Sequence, residues 1–165
     1  MKQPVGAKVT ELFQAHSAAL LLYARQWLDA AGAEDVVQDV FARLLAGDRM
    51  PAEPRTWLFR CVRNAAISAW RSSRRRSHRE KISAPASWFV HSPEDRLDAM
   101  LAQEAMRRLP PAQREIVTLR IWSGLTLAEI RDITGLPVSS IHEQYRDALK
   151  QIRETLERLC RNSHH

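Results

Sequence analysis

Apolar side chains in this sequence recur at the spacing of a helix and almost nowhere at that of a strand. Val9, Leu12, Phe13, His16, Leu20, Tyr23 and Trp27 fall on one stripe, three or four residues apart, as on an α-helix with one buried face. β-Branched residues do not alternate with polar ones anywhere for long. The expected fold class is therefore all-α. A chain of 165 residues patterned this way makes one helical domain or two small ones.

Punctuation divides the pattern. Gly32 is expected to break the first helix. A second, from about Ala33 to Ala46, buries Val36, Val37, Val40, Phe41 and Leu44 and is ended by Gly47. The loop "GDRMPAEP" follows, then a third helix burying Leu58, Val62, Ala65 and Ala69. From about Ser77 to His91 periodicity is lost, and "SAPASWFVHSP" reads as a linker whose Trp88 and Phe89 lie against something. Beyond it, "SPED" at 92–95 offers a Ser cap, a Pro at the first helical position and acids in the first turn. "LPPAQRE" at 109–115 ends one helix and opens another. "TLAE" at 126–129 and "SIHE" at 140–143 read as capping boxes, with Gly135 closing the short helix between them. The last helix is expected to bury Ile141, Tyr145, Ala148, Ile152, Leu156 and Leu159. A short helix, a Gly-containing turn and a longer helix make a helix-turn-helix, whose second helix usually enters the major groove; the same shape also serves as a packing motif. The expected layout is two small helical domains, 1–76 and 93–161, joined by a flexible linker at 77–92. A tail at 162–165 ends in His164 and His165, which resemble a purification-tag remnant and are given no function.

Charge narrows the function. The net charge is +6, yet residues 54–79 hold eight arginines and no acid, while the remaining 17 basic residues meet 19 acids. An excess gathered in one segment points to a polyanion, because such a face repels itself until phosphates neutralise it. A solvated arginine face is the plain alternative. The segment also carries Trp57, Phe59 and Trp70. A flat ring among guanidinium groups suits an unstacked base, hence single strands better than duplex, although Phe59 and Trp70 would serve equally as core.

Glu34, Asp35, Gln38 and Asp39 occupy the face of the second helix opposite its apolar stripe. Asp35 and Asp39 are one turn apart, but no His or third acid completes a coordination shell, so no metal is expected. A solvated face or a protein-docking face remains. In the helix-turn-helix, Ser140, His142, Glu143, Gln144 and Asp147 are the expected exposed residues at the start of the second helix, with Arg131, Arg146, Lys150 and Arg153 in reach of phosphates. Cys61 and Cys160 are far apart with no CxxC, which fits a reducing cytoplasm. No secretion signal and no apolar run long enough for a membrane span is visible. A DNA-processing enzyme would need a metal or nucleophile cluster, and none is found.

Three stretches together resemble bacterial sigma factors of the extracytoplasmic-function type, in the sigma-70 family. "AEDVVQDVFARLL" is similar to the family's core-polymerase-binding helix, "PRTWLFRCVRNAAISAWRSSRRR" to its promoter-melting segment, and "LPPAQREIVTLRIWSGLTLAEIRDITGLPVSSIHEQYRDALKQIR" to its C-terminal helix-turn-helix. The resemblance covers nearly the whole chain. It implies a factor without catalysis or cofactor that binds core RNA polymerase and directs it to promoters. It makes 1–76 sigma-70 region 2 and 93–161 region 4. Asp35, Gln38, Asp39 and Arg43 would dock on polymerase. Arg55, Trp57, Arg60, Asn64 and Arg71 would touch the melted minus-ten strand, with one base captured by the loop at 47–56, while Arg74, Arg75 and Arg76 hold the backbone. Ser140, His142, Glu143, Gln144, Arg146 and Lys150 would face the minus-thirty-five element. The linker would lie in the polymerase channel, and an anti-sigma factor is a further partner of such proteins. The alternative is a stand-alone helix-turn-helix regulator of duplex DNA, which has no need of a base-capturing helix beside an acidic docking one.

One departure stands out. Where the family often carries Ser-Arg and another basic residue at the tip of the reading helix, this chain has Glu143, Gln144 and Asp147. The expected consequence is a weak upstream contact. Glu143 has two readings: a capping acid for the N–H of Ser140, which is favoured, or an acceptor for a cytosine amino group. Gln144 is the expected base contact, with His142 and Arg146 beside it.

Overall fold

The first stripe forms α1 (Val5–Ala24), followed by α2 (Ala30–Ala46) and α3 (Pro54–Arg76). The structure is a computed structural model that describes residues 5–76 and 96–162. The expected linker at 77–92, with Trp88 and Phe89, the Ser92 cap and the end of the tail lie outside the described residues. Every described element is helical, and the chain divides into two compact units, the first built on α1–α3.

The three helices of the first unit all pack on one another. Their shared core is Leu20, Tyr23 and Ala24 of α1, Ala33, Val37, Val40, Phe41 and Leu44 of α2, and Leu58, Phe59, Val62 and Ala66 of α3. Each large side chain among them contributes about 1.5–3 kcal/mol by leaving water. Phe59, one of the aromatics in the arginine-rich segment, is core; its ring centroid lies 5.7 Å from that of Tyr23. Val36, Ala65 and Ala69, expected to be buried, are only half-buried.

Three sequence expectations need correcting here. The first helix stops at Ala24, and Trp27 is held by a tightened turn in which the N–H of Trp27 donates to the carbonyl of Ala24 at 3.1 Å. Trp27 still meets the core, edge-on to Tyr23 at 5.2 Å. Gly32 breaks nothing: it sits inside the first turn of α2, which starts three residues before the expected Ala33. Its N–H donates to Oδ1 of the N-cap Asp29 at 2.9 Å, and a Cβ there would stand 3.0 Å from that oxygen. The glycine thus admits the cap. Finally, α3 opens at Pro54, a residue suited to the first helical position. The connection is therefore 47–53, and Arg55 and Thr56 belong to the helix.

Beyond α3 the described chain forms α4 (Arg96–Arg108), α5 (Pro111–Val117), a five-residue π-helical turn (Thr118–Trp122), α6 (Leu127–Thr134) and α7 (Val138–Asn162). Met106, Leu109, Val117 and Ala148 form one buried cluster, against which Tyr145 and Ile152 pack. Arg114 donates to the carbonyls of Arg107 (3.3 Å) and Leu109 (3.1 Å), satisfying the open end of α4. In the π turn the N–H of Ser123 reaches back five residues to Thr118 at 3.2 Å, and Arg120 closes it by donating to the carbonyl of Leu125 at 2.8 Å. Ile121 and Trp122 are left at the surface.

The expected Thr126–Glu129 box is present. Glu129 accepts from the Thr126 N–H at 2.8 Å, and the Glu129 N–H donates back to the Thr126 hydroxyl at 3.2 Å. Gly135, at φ +77°, turns α6 into α7, a conformation other residues enter at a cost. The second expected box is absent. α7 starts at Val138, with the Ile141 N–H donating to the carbonyl of Pro137 at 3.0 Å, so Ser140 is the third helical residue and cannot cap. Along α7, Ile141 and Ala148 are buried, whereas Tyr145, Ile152, Leu156 and Leu159 are half-buried.

Candidate nucleic-acid and polymerase interfaces

A helix turns once in about 3.6 residues, and that repeat sorts the site residues into faces. On α3 the buried residues Leu58, Phe59, Val62 and Ala66 define the inner side. Opposite them, Trp57, Arg60, Asn64, Arg71 and Arg75 fall on one row. Trp57 is half-buried and the other four are exposed. From Trp57 to Arg75 the row runs about 27 Å at about 1.5 Å per residue. Ser68, exposed between Asn64 and Arg71, completes it; the same periodicity would have found it in the sequence.

The remaining arginines diverge from that row. Arg55 is on the inner side, half-buried, and its charge together with burial holds His16 of α1 below the usual histidine range, burial being the larger cause. Arg74 turns towards Trp70, its guanidinium carbon 5.0 Å from the ring centroid. Arg76 is exposed on the opposite flank. The row thus gathers five of the eight residues expected at the minus-ten strand and leaves out Arg55, Arg74 and Arg76.

On α2, Asp35, Gln38 and Asp39 are exposed on the side away from Val37, Val40 and Leu44. Arg43 is exposed too but faces α3, where its charge acts on Cys61; burial raises the Cys61 thiol, against the opposing pull of Arg60 and then Arg43. Beside the acidic side lies an apolar groove of about 260 Å³, formed by Val9 and Phe13 of α1 with Phe41, Ala42 and Leu45 of α2. No sequence expectation covered it. Among the described residues no cluster of three or more His, Cys, Asp or Glu could hold a metal, and no helix is long and apolar enough to cross a membrane.

On α7 the outward row is Ser139, His142, Glu143, Arg146, Lys150 and Arg153, all exposed. Ser140, Gln144 and Asp147 are half-buried on one flank. The expected base contact Gln144 is therefore separated from His142, Glu143 and Arg146. Asp147 reaches Nε of Arg146 at 3.7 Å, a loose, exposed pair.

Residues 12–77 match the model of sigma-70 region 2, and residues 99–152 match that of sigma-70 region 4. A sigma factor of the extracytoplasmic-function type from Cereibacter sphaeroides, RpoE, is 30% identical over 129 residues, covering 74% of this chain and 68% of that protein. The chain belongs to the extracytoplasmic-function sigma factors. Another member, SigL of Mycobacterium tuberculosis, is 29% identical over 164 residues, covering 93% of this chain and 92% of its own. Among solved structures, RpoE of Bartonella quintana in complex with the anti-sigma factor NepR is similar in fold, with a TM-score of 0.74 at 23% identity over 90% of this chain and 95% of that one. CnrH, in complex with the cytosolic domain of CnrY, gives 0.61 at 23% identity over 90% and 87%. This sigma factor binds core RNA polymerase and directs it to promoters. The stand-alone regulator is not favoured.

Proposed function

We propose that the work of promoter recognition is divided among three faces. The row Trp57–Arg60–Asn64–Arg71–Arg75 holds the melted minus-ten strand: the guanidinium groups neutralise phosphates, while the Asn64 amide and the Trp57 ring meet bases. Arg74 and Arg76 extend the positive field at the end of α3. The acidic side of α2, Asp35, Gln38 and Asp39, docks on core polymerase, with Arg43 at its margin. The outward row of α7 reads the minus-thirty-five element. Residues 1–76 act as the polymerase and minus-ten domain, 93–161 as the upstream-reading domain, and 77–92 as the linker between them. The protein works without catalysis or cofactor, in the cytoplasm. An anti-sigma factor is a further partner, a reading supported by the similar fold of Bartonella quintana RpoE captured with the anti-sigma factor NepR.

The observation that carries this reading is the face of α3: exposed arginines, an amide and a tryptophan along one row, in a segment without a single acid. A solvated face would need no such alignment. The test is binding of the sigma–core complex to a minus-ten oligonucleotide as a single strand and as a blunt duplex of the same sequence. Tighter binding to the single strand is expected; equal affinity for both would sink the assignment.

A further inference from the structure

We propose that Glu143 is a specificity-determining residue that selects cytosine at one position of the upstream promoter element. This rests on α7 being the reading helix. Residues near the start of such a helix reach base edges. Through its first three turns, Ile141 and Ala148 are buried, and Ser140, Gln144, Tyr145 and Asp147 are half-buried. Val138, Ser139, His142, Glu143 and Arg146 are left exposed. Glu143 is the one acid among them.

Its local duty has gone. Because α7 begins at Val138 and not at Ser140, no N-cap hydroxyl stands three residues before Glu143. Its carboxylate has no hydrogen-bond or ion-pair partner among the described residues. An ionised carboxylate only accepts hydrogen bonds. In the major groove guanine presents the acceptors N7 and O6, and thymine presents O4, so all three repel it. Adenine sets its N7 acceptor beside the N6 donor. Cytosine alone offers an N4 donor without a neighbouring acceptor on its own edge. A carboxylate at this place therefore discriminates by repulsion from guanine and thymine and by the divided edge of adenine, as well as by attraction to cytosine. Arg146 and Lys150, further along the same row, supply positive charge against the phosphates that would otherwise expel it.

The substitution Glu143→Gln gives the proposal a direction. It keeps the shape and exchanges a pure acceptor for an amide, which pairs with adenine N6 and N7. Promoters are selected from a library randomised upstream, using core polymerase with the full-length chain. The wild type should enrich cytosine at one position by roughly tenfold, within the range for one mismatched pair. Glu143→Gln should move that preference to adenine, and Glu143→Ala should erase it while leaving other constrained positions unchanged. A cytosine preference that survives both variants, or an upstream element constrained elsewhere but indifferent to cytosine, overturns the proposal alone. An element unconstrained throughout, and unaffected by Arg146→Ala with Lys150→Ala, overturns the reading of α7 along with it. Circular dichroism melts of each variant show that folding is retained.

Discussion

Replacing Arg60, Arg71 and Arg75 together with glutamine removes three cations from the α3 row without touching the core, since all three side chains are exposed. On a single strand each neutralised phosphate contributes about 0.7 to the slope of log affinity against log salt. Three contacts therefore contribute about 2. Between about 50 and 200 mM salt, the wild-type complex should lose about 18-fold more affinity than the variant does. The assay is fluorescence anisotropy of a labelled minus-ten strand bound by the sigma–core complex across a salt series. An equal charge change at Lys8 of α1 and at Arg158 and Arg161 of α7, all exposed and none of them on α3, separates local contact from net charge. That control should keep a slope close to the wild type. If the row variant also kept the wild-type slope, or fell no further than the control, α3 would be a solvated face and the alignment of its arginines an accident of helix geometry.

Other outcomes follow from the same geometry. Asp39→Arg reverses the charge at the centre of the docking side and should weaken binding to core polymerase while shifting stability by less than about 0.5 kcal/mol, as exposed substitutions usually do; gel filtration and a thermal melt check the two halves. Thr126→Ala removes the hydroxyl that accepts the Glu129 N–H at 3.2 Å and should cost about 1 kcal/mol, read from the urea midpoint of the full-length chain. His16 is held below its usual range by burial and then by Arg55. The unfolded chain therefore binds its proton first as pH falls, and stability should decline from about pH 6.5 downward. His16→Gln should flatten that decline in a series of melts, and an unchanged pH profile would contradict the burial of His16 that, with Arg55, holds it low.

Much of this was readable from residue spacing, because helical periodicity and core burial are the same fact seen twice. Val37, Val40, Phe41, Leu58 and Val62 recur at the helical repeat, which marks them as core, and they are buried. The Thr126–Glu129 box and the Gly135 turn were legible because capping chemistry is local. The errors were also local. Gly32 looks like a helix breaker until Asp29 is seen bonding its N–H. "SIHE" looks like "TLAE", yet α7 begins after Pro137, and a pattern of residue types cannot say which of two candidate caps starts the helix. That pattern gives Glu143 a capping duty which the start of α7 at Val138 removes. The π turn at 118–122 and the groove between α1 and α2 have no sequence signature. One depends on a backbone carbonyl choosing a more distant partner, and the other on two helices that leave a gap between Phe13 and Leu45.

The central claim, that the outward face of α3 lies against melted DNA, is tested most directly by crosslinking from the middle of that face. Ser68 is exposed between Asn64 and Arg71, and a photoreactive side chain there would stand on the row without removing any of its contacts. In the complete initiation complex with core polymerase, the account predicts crosslinks to a single strand within the minus-ten region. They should appear when the promoter opens and be lost when it is held closed by cold. Crosslinks of equal yield in the closed complex, or none to that strand in the open one, would contradict it.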